Sequence, residues 1–199
     1  MNYLAHIFLS ERKEEILFGN LLEDFIHGTI DHPRNNHLSA GIKKGIRLHR
    51  RIDTLTDAHP LVSDCKAIFY EKFHHYSSVV VDVLFDHFLM LNWPTFSAVS
   101  FDDFKKESYM LLTKRKEQMP PNMLKMVESM ISYDWLGCYI HKEGLENAFN
   151  GLNKRIKKDI DLSESLDMMY ENYDFLNAKF LAFFKILQKD CTEFLNFDL

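Results

Sequence analysis

The chain has 199 residues, a formal net charge of −5 and ten histidines. No Gly/Ser linker, Pro-rich segment or helix-pair repeat interrupts it, so one domain spanning 1–199, with room for a buried polar site, is expected. The mild acidity argues against non-specific nucleic-acid binding. The longest apolar run, 79–91, is broken by Asp82, Asp86 and His87 and is too short to span a bilayer.

The chain opens MNYLAHIFLSERKEE, with His6 inside a short apolar stretch and acidic residues soon after, unlike a signal peptide. Cys65, Cys138 and Cys191 lie far apart without a CxxC pair, so reduced thiols and a cytoplasmic location are expected. Glycine and proline are scarce, and apolar residues recur at three and four positions, which predicts an all-α fold. A first helix is predicted over 16–27, followed by a polar, His-rich loop. Ser39 is placed to cap the next helix, which carries Ile42, Ile46, His49, Ile52 and Leu55 and stops before Pro60. Helices over 62–73 and 77–92 follow, the second apolar enough to lie in the core. Beyond Pro94, helices are predicted over 101–118, 122–132, 142–158 and 163–195. Phe175, Phe180, Phe183, Phe184 and Leu187 on the last are read as core packing.

In VVVDVLFDHFLML, Asp82 and Asp86 are four apart and share a helical face among residues that demand burial. A buried unpaired carboxylate costs several kcal/mol, so cationic partners, protonation or a metal must compensate. The adjacent His87 points about 100° away from Asp86. In HRRIDTLTD, His49, Asp53 and Asp57 form an i, i+4, i+8 stripe of imidazole and carboxylates suited to Mn²⁺, Fe, Mg²⁺ or Zn²⁺. The same pattern also fits a surface helix in which Arg50 pairs with Asp53. In GNLLEDF, Asn20 and Asp24 again lie four apart, and Asp24 reads either as a ligand or as a solvated charge. His6 reads either as a hydrogen-bonded core residue or as a ligand. Several such elements in a chain without a nucleophile motif or a phosphate-binding glycine loop favour a metal site.

MNYLAH, GNLLEDF, HRRIDTLTD and DVLFDHFL, in this order and spacing, resemble the signature of the acyl carrier protein phosphodiesterase family, a divergent branch of the HD-type phosphohydrolases. The likeness continues through Gly144-Leu145, the stretch from Leu152 to Arg155, and the Tyr- and Phe-rich last helix. It implies a single-domain helical bundle, a Mn²⁺-type divalent ion, and hydrolysis of the phosphodiester joining 4′-phosphopantetheine to a serine of holo-acyl carrier protein. Here the adjacent pair stands reversed, as Asp86-His87, and His49 precedes Asp53.

On this reading Asp24, His49 and Asp86, with His6 as a fourth, hold one or two ions, Mn²⁺ with Mg²⁺ or Fe²⁺ as alternatives. Asp53 serves a second ion or acts as base, His87 protonates the leaving oxygen or orients a ligand, and Arg50 or Arg51 stabilises developing charge. Carrier proteins are generally acidic, so Lys43, Lys44, Arg47 and Arg51 form a candidate docking patch, and Lys154, Arg155, Lys157 and Lys158 a second. Two other readings stand beside it: a hydrolase of nucleotides or other small phosphodiesters, and a non-catalytic module that binds the carrier.

Overall fold

The three- and four-residue recurrence of apolar side chains is realised as helix. The computed structural model describes residues 1–154, 156 and 160–197, and no strand occurs among them. The helices are α1 (Tyr3–Leu9), α2 (Glu14–Leu22), α3 (Ala40–Ala58), α4 (Pro60–Phe73), α5 (Ser77–Leu91), α6 (Trp93–Phe96), α7 (Phe101–Lys114), α8 (Pro121–Ser132), α9 (Trp135–Cys138), α10 (Lys142–Asn153), α11 (Ser165–Glu171) and α12 (Tyr173–Asn196). They pack as one all-helical bundle.

Local chemistry sets the boundaries that matter for the site. Ser39 accepts a hydrogen bond from the Ile42 N–H (3.2 Å), capping α3 as its position predicts. Pro60 falls at the first position of α4, where its missing N–H is harmless. The helix expected over 16–27 ends at Leu22 and tightens into a 3₁₀ turn, Glu23–Phe25. The N-terminal stretch, expected only to be apolar, is a two-turn helix. The helix expected over 163–195 is broken at Asn172, whose side-chain amide donates to the Met168 carbonyl (2.9 Å) and competes with helix continuation. The helix expected over 142–158 is described as far as Asn153, and Arg155, Lys157 and Lys158 lie outside the described residues.

α5 runs through the core, with Val80, Val81, Leu84, Phe85, Phe88 and Leu89 buried. Phe180, Phe183, Phe184 and Leu187 of α12 are buried too, while Phe175 lies at the surface beneath the Lys179 ammonium (5.1 Å). No helix of the described residues is long and apolar enough to cross a membrane.

Two glycines let α2 and α3 touch backbone to backbone. A Cβ on Gly19 would lie 2.1 Å from the Ile42 carbonyl oxygen, and one on Gly45 would lie 2.2 Å from that of Ile16. Only hydrogens fit in these gaps. The contact brings the backbone of Asn20 against the imidazole of His49.

Candidate metal centre

α1 contributes His6, α2 contributes Asn20, and α3 contributes His49 and, one turn on, Asp53. The His6 and His49 rings stack with centroids 4.2 Å apart. Both are buried. The Asp53 carboxylate lies 3.3 Å from His6 Nε2 and 3.1 Å from His49 Nε2. One donor atom from each of these three residues falls within 4.8 Å of the others. Asp24, in the 3₁₀ turn, places Oδ1 3.6 Å from His49 Nε2. All four residues line one cavity of about 300 Å³, which Met1, Asn2, Tyr3 and Asp82 help to close.

Asn20 sets the chemistry of both rings. Its side-chain NH₂ donates to the His6 carbonyl and to Ser10 Oγ (both 3.0 Å), so its Oδ1 must face His6 Nδ1 (2.8 Å). Its backbone carbonyl faces His49 Nδ1 at the same distance. Both imidazoles therefore carry their proton on Nδ1 and donate it to Asn20, which leaves both Nε2 lone pairs directed at the Asp53 side of the cavity. Two lone pairs and a carboxylate converging at this range repel unless a cation lies among them. A proton on one Nε2 supplies it, and so does a divalent metal. The residues fit a metal: two neutral imidazoles and one or two carboxylates are a donor set for Mn²⁺, Fe²⁺ or Zn²⁺ with positions left open.

Titration follows from the same contacts. Burial alone would raise the Asp53 carboxyl, but in the metal-free protein hydrogen bonding and positive charge from His49 and His6, available when an imidazole takes a second proton on Nε2, outweigh it and hold the group far below the usual carboxylate range. Burial pulls His49 down, yet the hydrogen bond and charge of Asp53, with Asp24 adding, leave it above the usual histidine value. At His6 burial wins and the pKa falls, while burial raises Asp24.

Other residues singled out in the sequence lie elsewhere. Both oxygens of Asp86 accept backbone N–H groups, from Leu4 (2.8 Å) and Ala5 (3.0 Å), in the first turn of α1. Asp86 thus caps from α5 the helix that carries His6, a role Asn2 leaves open by turning its amide to the Tyr139 hydroxyl. It does not face the cavity. Burial pushes its carboxyl up to about 7 against those two hydrogen bonds. His87 Nδ1 donates to the Tyr139 carbonyl and Nε2 accepts from the Tyr173 hydroxyl (both 2.8 Å), so neither nitrogen is turned to the cluster, and burial lowers its pKa.

Arg50 forks onto Glu23 (2.7 and 3.2 Å) rather than Asp53, and Arg51 forks onto Asp190. Arg47 pairs with Asp31 (2.7 Å), and Lys44 donates to the carbonyls of Leu195 and Phe197 near the end of α12. Of that docking patch, Lys43 alone forms no ion pair or hydrogen bond through its side chain among the described residues. Asp57, third on the stripe, reaches the cavity edge but pairs with Lys66 (2.8 Å).

The sequence exposes Asn20 only as a neighbour of Asp24 and gives no sign that it orients both imidazoles. Asn20→Ala removes the His6 Nδ1 acceptor and one hydrogen bond each from Ser10 Oγ and the His6 carbonyl, which stay bonded to each other. Divalent-ion affinity, measured by calorimetry, should fall about 10- to 100-fold. Wild-type affinity in this variant would refute the orienting role.

The structure is an all-helical bundle that presents two buried histidines and a half-exposed carboxylate at one cavity, a cluster that could hold a divalent ion. The family model described as acyl carrier protein phosphodiesterase matches residues 1–187, and the chain belongs to that family. A Photorhabdus laumondii protein named acyl carrier protein phosphodiesterase is 30% identical over 196 residues, covering 95% of this chain and 94% of the relative. An Escherichia coli protein of the same name is 31% identical over 188 residues, covering 92% and 94%. No solved structure matches.

Proposed function

We propose that the protein hydrolyses the phosphodiester of holo-acyl carrier protein, releasing 4′-phosphopantetheine and apo carrier, with Mn²⁺ as its ion. The observation that carries this reading is the pair of Nε2 lone pairs held toward Asp53 by Asn20. Family membership supports the substrate, and the free cysteines agree with a reducing, cytoplasmic location.

His6, His49 and Asp53 would hold the ion, and Asp24 is available as a fourth donor. A divalent ion there supplies charge that polarises a phosphoryl oxygen and acidifies a water. Asp24 stands at the cavity edge with its affinity for protons raised by burial, which suits it to take a proton from the attacking water. As the new P–O bond forms, the bond to the carrier serine breaks, and the serine oxygen takes up that proton. Asp86 acts through α1, keeping His6 in place, and His87 anchors α5 to the segment around Tyr139. Arg50 holds the turn that carries Asp24 through its fork onto Glu23. Lys43, the one residue of the α3 patch whose side chain is not already engaged among the described residues, gives the acidic carrier a positive charge to approach, so the KM for carrier should rise with ionic strength.

The test is to strip the purified protein of metal, add holo-acyl carrier protein with or without Mn²⁺, and follow loss of phosphopantetheine by mass spectrometry. Loss that requires Mn²⁺ is expected. An intact holo carrier after incubation with folded, Mn²⁺-loaded protein would contradict the proposal.

A further inference from the structure

Beside the metal cavity lies a larger groove of about 660 Å³, within the roughly 300–1,000 Å³ typical of small-molecule sites. The two share Asn2 and Tyr3 as walls, so the groove adjoins the cluster across these residues. Aromatic side chains form much of it, with Tyr133, Trp135 and Tyr139 joining Tyr3. α10 provides the other side. Tyr133, which lines the groove, is 77% exposed. Asn147 of α10, an exposed residue, lines the groove, and its side-chain amide has no protein hydrogen bond among the described residues.

The glycines of α10 in the groove differ in kind. At Gly144 a Cβ would lie 1.9 Å from the Cys138 carbonyl oxygen, so close packing requires glycine. At Gly151 a Cβ would meet nothing within 4 Å. Packing does not account for Gly151, which lowers helix propensity by about 1 kcal/mol and leaves that part of the groove open.

We infer that the groove holds the pantetheine arm while the phosphodiester lies against His6, His49 and Asp53, an assignment that rests on the phosphodiesterase reading above. The arm combines methyl and methylene groups, which suit aromatic walls, with two amides, which suit a free side-chain amide such as Asn147. The shared wall sets the order of this assignment, with phosphorus at the metal cavity, the arm in the groove, and the carrier serine on the remaining side.

The experiment compares two probes, inorganic phosphate and 4′-phosphopantetheine, titrated calorimetrically into Mn²⁺-loaded full-length protein. Phosphopantetheine should bind at least about tenfold tighter, a difference of about 1.4 kcal/mol. That ratio should collapse toward one in Gly151→Trp, whose indole fills the open part of the groove, and shrink in Trp135→Ala. Equal affinities in the wild type, no measurable phosphopantetheine binding, or a ratio unchanged in both variants would overturn the assignment. Turnover of holo carrier by the same wild-type sample separates the two claims. Turnover with equal affinities overturns the groove alone, whereas a high ratio without turnover supports the groove and overturns the hydrolase.

Discussion

Asp53→Asn should abolish tight divalent-ion binding, lowering affinity at least about a hundredfold, and turnover of holo carrier should fall with it. Among the described residues Asp53 is the one carboxylate placed against both Nε2 atoms, at 3.3 and 3.1 Å. An amide of the same shape offers one neutral oxygen and, in the other orientation, an NH₂ that occupies the lone pairs itself. A second readout is independent of metal. His49 titrates above the usual histidine value because Asp53 and Asp24 outweigh burial, so without the Asp53 charge burial prevails and its pKa should drop.

The sign in the metal-free protein follows directly. A histidine raised by folding stabilises the native state fully below its unfolded pKa, and that contribution disappears as pH rises through the folded value. Metal-free wild type should therefore lose stability as pH climbs from about 6.5, and Asp53→Asn should show less of this loss. A His49 pKa unmoved in proton NMR titrations would contradict the electrostatics described here.

Gly45→Ala should be among the most damaging single-methyl additions in the chain. Its Cβ would lie 2.2 Å from the Ile16 carbonyl oxygen, 2.9 Å from the Asn20 nitrogen and 3.0 Å from the Gly19 Cα, all backbone atoms that no rotamer change can withdraw. Relief requires α2 and α3 to separate, at a cost of about 3 kcal/mol that exceeds the gain of about 1 kcal/mol in helix propensity. The net loss of about 2 kcal/mol should lower the melting temperature by about 4–8 °C. Because that separation moves the Asn20 carbonyl from His49, metal affinity should fall as well. Gly151→Ala, which meets open space, should leave the melting temperature unchanged or slightly higher. Similar melting temperatures for both variants would show that the α2–α3 contact is not tight.

The all-helical architecture was legible because apolar spacing reports helices whatever they pack against. Ser39 was readable for a comparable reason, since a cap acts within three residues of itself. His49 and Asp53 were visible as an i, i+4 pair, and that spacing alone puts two donors on one face. What spacing withholds is the opposite partner. Asp82 and Asp86 share a face of α5 as expected, but their charge is met locally: Asp86 by the N–H groups opening α1, and Asp82 by the Met1 nitrogen at 3.0 Å. Arg50 is the same case, since only the folded chain brings Glu23 within its reach ahead of Asp53.

Asn20 and the Gly19–Gly45 contact were illegible for a different reason. Their effect depends on how two helices joined by a long loop meet, and a helix-interior glycine reads only as weak propensity until the neighbouring backbone is seen.

The most direct test is a crystal of the metal-stripped protein soaked in Mn²⁺, with data collected for its anomalous signal. A peak bonded to His6 Nε2, His49 Nε2 and an Asp53 oxygen, with both Nδ1 atoms still on Asn20, is the predicted result. A peak at Asp86 or His87, or no peak among the two imidazoles and Asp53, would contradict the account.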